Sequence, residues 1–179
     1  MTKTLIIYST TDGQTKIICQ RIALQLKTDE STDIVSLDQA VKSDLGDYDR
    51  VIIGASIRYG KHRPELYRFI AEHQAQLEKV NSAFFSVNVV ARKPLKNTPE
   101  TNPYMIKFLS LTDWQPKHLE VFAGKIDYPR YGFVDKQMIR LIMYITKGPT
   151  DISGTFEFTD WKRVDAFAQT IIKDDKNNV

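Results

Sequence analysis

The sequence predicts an α/β fold built on a doubly wound, five-stranded parallel sheet. Three observations carry this expectation. Short apolar runs alternate with longer stretches of helical periodicity; the central run, Val51-Ile52-Ile53-Gly54, is apolar on both faces of a strand; and 179 residues suit one ordinary α/β domain but are short for two. Strands separated by helices run parallel, with helices on both faces of the sheet and ligands at the carboxyl ends of the strands.

The elements follow in order. Thr4 to Ser9 is a first strand, and Thr15 to Lys27, with Ile18, Ile22 and Leu26 at helical spacing, is a first helix. Asp33 to Leu37 gives a weak second strand and Tyr48 to Ala55 a strong third. Pro64 opens a helix carrying Leu66, Phe69, Ile70 and Leu77, because proline suits a first helical turn. Ser82 to Val90 is the fourth strand. A polar loop with Pro94, Pro99 and Pro103 leads to a helix near Tyr104 to Leu111, then to a fifth strand around Leu119 to Ala123. Thr159-Asp160 caps a last helix through Ile172. No repeat or internal boundary interrupts this pattern, so residues 1–172 read as a single domain and 173–179 as a disordered tail.

Composition narrows the class. With 42% apolar and 26% charged residues the chain is expected to fold rather than remain disordered. Cys19 is the only cysteine, which excludes an internal disulfide and a cysteine-rich metal site and suits a cytoplasmic, reducing compartment. The first apolar run is too short for a signal peptide, and no stretch reaches the roughly 18 apolar residues of a spanning helix. His62, His73 and His118 lack metal-ligand spacing, so no metal is expected. The net charge of +3 favours anionic small molecules or lipid; nucleic-acid binding lacks a recognition helix or an aromatic platform.

The chemistry is expected in the strand-to-helix loops. After strand one comes Ser9-Thr10-Thr11-Asp12-Gly13-Gln14-Thr15, whose hydroxyls, glycine and helix-start N–H groups make a cradle for a phosphate. It has neither the Gly-Lys-Ser/Thr ending of a triphosphate loop nor the Gly-x-Gly-x-x-Gly of dinucleotide folds, so a monophosphate fits better. A plain turn and helix cap would use the same residues.

Tyr8 to Thr15 resembles the phosphate loop of flavodoxins, Ser/Thr-x-Thr-Gly-x-Thr, with Asp12 where that family has Thr and Gln14 where Asn is common. The resemblance implies a flavodoxin-like fold and flavin mononucleotide (FMN) as cofactor. A carboxylate facing a phosphate is repulsive, so Asp12 is expected to offer its backbone N–H and turn its side chain to the helix N-terminus. The loop after strand three, Ser56-Ile57-Arg58-Tyr59-Gly60, lies where flavodoxins hold the isoalloxazine, with Tyr59 as the stacking residue. Ser86-Val87-Asn88-Val89, after strand four, would supply backbone groups to the other edge of the ring.

A narrower resemblance, to the menaquinone-dependent protoporphyrinogen oxidases of the bacterial haem pathway, rests on Ile53 to Gly60, Ser86 to Pro94, Tyr128-Pro129-Arg130-Tyr131 and Met138 to Met143. It implies FMN-dependent oxidation of protoporphyrinogen IX to protoporphyrin IX, with electrons passed to menaquinone or ubiquinone. The residues agree in two respects. The stretch at about 125–155 is too long for a plain connection, loops beyond about 12–15 residues being uncommon unless functional, and reads as a long helical insertion near the last strand. In it Met138, Leu141, Ile142 and Ile145 share an apolar face suited to membrane or quinone contact, although packing on the domain would use the same face. Basic residues also gather near the expected flavin rim: Arg58, Arg63, Arg92, Lys93 and Arg130 are candidates for the propionates of the tetrapyrrole, their alternative being solvated surface charge. This implies a cytoplasmic protein peripherally associated with the cytoplasmic face of the cell membrane. The residues assign no catalytic base and leave a homo-oligomer open. A one-electron flavodoxin carrier and a soluble NAD(P)H-quinone reductase stand as alternatives, the carrier weakened by the basic loops.

Overall fold

The computed structural model describes residues 2–26 and 31–177. The first apolar run forms β1 (Lys3–Ser9), and α1 (Gln14–Gln25) turns Ile18, Cys19 and Ile22 inward. β2 (Ser31–Ser36) stops short of Leu37 because Ser36 caps a four-residue helix, α2 (Leu37–Ala40). Its hydroxyl accepts from Gln39 N–H while the Gln39 side chain accepts from Ser36 N–H. β3 (Arg50–Ser56), α3 (Pro64–Leu77) and β4 (Asn81–Val87) follow. β4 ends before Val90 because the Asn88 side chain accepts Ala91 N–H at 3.1 Å and folds Val89–Arg92 into a 3-10 turn. α4 (Pro103–Ser110) starts at Asn102, whose side-chain oxygen accepts from Tyr104 and Met105 N–H, and β5 (His118–Phe122) completes the main sheet.

The sheet has the order β2-β1-β3-β4-β5 and every pairing in it is parallel. The chain steps outward from β1 to β2 and then crosses back to β3. That reversal opens a crevice at the carboxyl ends of β1 and β3, the place where such sheets bind ligands. Alternate residues of the strands feed two cores. Leu5, Ile7, Val51, Ile53 and Phe84 pack with α3 and α4 residues on one face; Ile6, Ile52, Ala83 and Phe85 pack on the other with residues of α1 and of the last helix, among them Val164, Phe167 and Ile171. Gly54 makes this second layer possible, since a Cβ there would lie 2.2 Å from Phe85 Cζ.

Between β5 and the last helix lie β6 (Lys125–Asp127), α5 (Phe133–Ile145) and β7 (Thr155–Glu157). β6 and β7 pair as an antiparallel ribbon, which helical periodicity could not announce. Buried Ile126, Tyr128 and Met143 give this unit a small core of its own, with Ile139 and Phe156 packed against it. α6 (Trp161–Asn177) is capped by Asp160, whose Oδ1 accepts Lys162 and Arg163 N–H. The expected disordered tail needs correction: 173–177 continue α6, and the remaining two residues lie outside the described ones. Among the described residues no helix is long and apolar enough to cross a membrane.

Candidate functional site

The carboxyl ends of β1, β3 and β4 supply three loops, and the unit containing α5 folds over them. In the first loop the Thr10 hydroxyl accepts Gly13 N–H at 3.0 Å, and Gly13 starts α1 at φ +90°, a conformation that costs glycine little. The Gln14 amide nitrogen donates at 3.0 Å to both Glu157 and Thr159, tying the loop to β7 and the residue two beyond it. Thr15 is completely buried, and its hydroxyl oxygen has no hydrogen-bond partner among the described residues. A buried hydroxyl without a partner costs free energy, and this one stands among the first-turn N–H groups of α1, which no intrahelical carbonyl can satisfy.

The second loop is a tight hairpin. Arg58 and Lys61 exchange backbone hydrogen bonds of 3.0 and 3.2 Å, with Tyr59 at φ 50° and Gly60 at φ 74° forming the turn between them. A tyrosine in that region is strained, and the turn holds its ring 60% exposed beside the cavity. The Arg58 guanidinium lies 5.0 Å from the ring centroid and donates to Asp135 Oδ2 at 2.8 Å, while the Tyr59 hydroxyl donates to Asp135 Oδ1. The third loop is locked from behind. Ile57 N–H donates to Val87 O at 3.1 Å, and Ser86 Oγ lies 3.0 Å from His62 Nε2 while accepting from Asn88.

α5 forms the remaining wall. Its inner face carries Asp135, Met138, Ile139, Ile142 and Met143 toward the cavity. Its C-terminus closes with Gly148 N–H donating to Met143 O at 2.7 Å and Lys147 at φ 56°. Arg92 pins that end, donating to Thr146 O at 3.0 Å, Thr146 Oγ1 at 2.9 Å and Val89 O at 3.2 Å. The enclosed space is about 460 Å³, within the range of small-ligand sites. At its phosphate-loop end burial raises the Asp12 carboxyl above its ordinary range, against the opposing pull of Arg58, the Tyr131 hydroxyl and Arg130. Burial likewise pushes the Tyr131 hydroxyl up to about 12, so it stays a neutral donor, 3.5 Å from Asp12 Oδ2.

A flavodoxin domain match covers residues 5–153. The quinone-dependent protoporphyrinogen IX dehydrogenase of Escherichia coli K12 is 44% identical over 170 residues, covering 94% of each chain; that of Leishmania major is 45% identical over 93% of this chain and 73% of its own. The chain belongs to the flavodoxin domain family, among the quinone-dependent protoporphyrinogen IX dehydrogenases. Solved structures agree on the fold. Oxidised flavodoxin 1 from Bacillus cereus superposes with a TM-score of 0.55 at 14% identity, covering 96% of this chain and 98% of that one. A short-chain flavodoxin associated with a PDU bacterial microcompartment gives 0.53 at 12% identity, over 97% and 98%.

Within this dehydrogenase fold the expected cofactor residues converge, with two exceptions. All three loops reach the cavity, but Gly13 shapes the first loop without lining it, and Ser86 points away toward His62. The Asp12 side chain, expected to turn to the α1 N-terminus, makes no cap hydrogen bond there; its carboxylate lies 3.5 Å from the Tyr131 hydroxyl. The basic candidates divide. Arg58 lines the cavity, and Arg130 lies beside the phosphate loop with Nη1 3.5 Å from Asp12 O. Arg92 is spent on the end of α5, Arg63 pairs with Asp38 and Glu65 outside the cavity, and Lys93 is not among the lining residues. On α5, Met138 and Ile142 face the cavity while Leu141 and Ile145 face outward. Sequence reasoning missed Asp135, Tyr131 and Ile139. The signal was present, since Asp135, Ile139, Ile142 and Met143 follow helical spacing one position round from the face that pure hydrophobicity selects.

Proposed function

We propose that this protein oxidises protoporphyrinogen IX to protoporphyrin IX with bound FMN and passes the electrons to a respiratory quinone, menaquinone or ubiquinone. The observation that carries the cofactor reading is the unpartnered, fully buried Thr15 hydroxyl in a loop that also offers the first-turn N–H groups of α1. A phosphate monoester satisfies both, and a cavity of about 460 Å³ leading to an exposed tyrosine ring suits the planar remainder of FMN. When bound, FMN supplies the two-electron chemistry that no side chain here can perform.

The chain's own residues then have separable tasks. Thr15 and the α1 N-terminus hold the phosphate. Arg58 covers one face of the Tyr59 ring and leaves the other for a flat ligand. Val87 to Val89 present backbone groups at the far edge, and Met138 and Ile142 exclude water from the side of α5. The names carried by the relatives of 44–45% identity favour the porphyrinogen and a quinone over a one-electron carrier or an NAD(P)H-linked reductase.

The membrane reading extends this proposal. Phe133, Val134, Leu141, Tyr144 and Ile145 leave α5 with a broad exposed apolar surface, and Arg140 lies among them. A helix of this kind rests in a lipid interface, where quinones dissolve. Anaerobic incubation of the FMN-loaded protein with protoporphyrinogen IX and a water-soluble menaquinone analogue tests the whole reading. Fluorescent porphyrin is expected only when quinone is present. Quinone-independent formation, or none at all with NAD(P)H consumed instead, overturns it.

A further inference from the structure

The carboxylate of Asp135 is held by two donors at once: Arg58 Nη2 reaches Oδ2 at 2.8 Å, and the Tyr59 hydroxyl takes Oδ1. Arg58 and Tyr59 sit on a rigid hairpin whose strained turn fixes the direction of both side chains, whereas Asp135 comes from the opposite wall, in the first turn of α5. All three line the cavity, so the pair of donors forms a built recess for one carboxylate at its rim.

Resting on the substrate reading above, we propose that the Arg58–Tyr59 pair is the subsite for a propionate of the substrate, and that Asp135 occupies it as an internal surrogate which the propionate displaces. Three features support the assignment. Arg58 is the one of the five basic candidates that lines the cavity, so it can reach a ligand seated there. The recess already holds a group of propionate chemistry, with both carboxylate oxygens engaged. The Arg58 side chain is 46% exposed and that of Asp135 26%, so exchange of one carboxylate for another requires no burial of a bare charge. While Asp135 is in place, the contact also ties the start of α5 to the hairpin, so displacement would free that end of the helix as the substrate enters. Arg92 keeps the other end anchored.

The test compares a dicarboxylate with its uncharged twin. FMN-loaded protein is titrated anaerobically with protoporphyrin IX and with its dimethyl ester, following porphyrin fluorescence, for the wild type, Arg58→Gln, Asp135→Asn and the double variant. Asp135→Asn is expected to tighten the diacid about threefold to fivefold, the scale of a partly exposed ion pair, with the ester unchanged. Arg58→Gln is expected to erase the preference for the diacid, and Asp135→Asn on that background to add nothing. An unchanged ratio of diacid to ester affinity in Asp135→Asn, or a preserved ratio in Arg58→Gln, overturns the subsite. If wild-type turnover of protoporphyrinogen is normal in that case, the proposed function stands without it; if the wild type neither binds nor turns over porphyrin, the substrate reading falls and the subsite with it.

Discussion

His62 Nε2 lies 3.0 Å from Ser86 Oγ, joining the loop after β3 to the interior of β4 behind the cavity. The imidazole is packed among Tyr67, Phe84 and Phe108, with the Tyr67 hydroxyl 3.5 Å from Nδ1. Ser86 in turn accepts from Asn88, and Asn88 exchanges hydrogen bonds with Asn102 at the start of α4. A single buried polar chain therefore sets the relative positions of two cavity loops and a helix cap, and a neutral imidazole suffices to hold it.

This arrangement predicts a pH dependence of stability. Burial, with a smaller contribution from Lys107, lowers the His62 pKa to about 4, whereas an unfolded histidine titrates near 6.5. The unfolded state therefore binds the proton first. The stability tied to this group is fully present above about pH 6.5 and is lost as pH falls toward 4, amounting to about 3 kcal/mol by linkage. Urea unfolding of wild type and His62→Gln between pH 7.5 and 4.5 should show the wild type losing stability faster on acidification. Parallel curves would show that His62 is not the group responsible.

Arg92 gives a different kind of prediction, because its guanidinium serves α5 rather than a ligand. Three donated hydrogen bonds join it to Val89 and Thr146, and two of them end on Thr146 at the C-terminal turn of that helix. Arg92→Ala should cost about 1–3 kcal/mol and expose 133–146 to limited proteolysis ahead of global unfolding. Arg92→Lys should rescue little, since an ammonium cannot span the same acceptors. Proteolysis patterns indistinguishable from wild type would contradict the clamp.

The contrast between Arg58 and Arg92 shows what the sequence could and could not reveal. Strands, helices and the parallel sheet were legible because burial on both faces imposes an unbroken apolar run on Val51 to Gly54, and burial of one face imposes a helical period on Leu66 to Leu77. The first cavity loop was legible because phosphate cradles need particular residue types, and the other two through the resemblance to flavodoxins. Side-chain partnership leaves no such period. Arg58, Arg63 and Arg92 look alike in sequence, and only the fold sends one to the cavity, one to Asp38 and one to Thr146. Likewise helical spacing can place Asp135 on the inner face of α5, but its pairing with Arg58 and Tyr59 follows only from the packing of α5 against the hairpin after β3. The β6–β7 ribbon escaped because three-residue strands are too short for alternation to register.

Thr15 offers a direct test of the cofactor cradle. Its hydroxyl is buried without a partner among the described residues, so Thr15→Val removes an unsatisfied polar group and should leave the apoprotein as stable as wild type or slightly more so. The same change should weaken FMN about tenfold, the scale of a hydrogen bond to a charged group, and leave riboflavin, which has no phosphate, nearly unaffected. Fluorescence-quenching titrations with the two flavins separate these outcomes. Equal loss for both would place Thr15 away from the phosphate.

The outer face of α5 carries the last prediction. Leu141 is 58% and Ile145 70% exposed, and neither lines the cavity, unlike their neighbours Met138 and Ile142. Changes there alter the surface without touching the site. Leu141→Glu with Ile145→Glu should therefore leave oxidation by a water-soluble quinone analogue close to wild type, because the cavity wall is intact. Cosedimentation with anionic phospholipid vesicles should fall severalfold, since two apolar contacts are lost and two negative charges now oppose the surface potential. Turnover with a long-chain menaquinone embedded in the vesicles should fall in parallel. If the soluble and membrane-bound quinones were affected alike, the face would be serving the fold of α5 and not the lipid, and the apolar surface would need another partner.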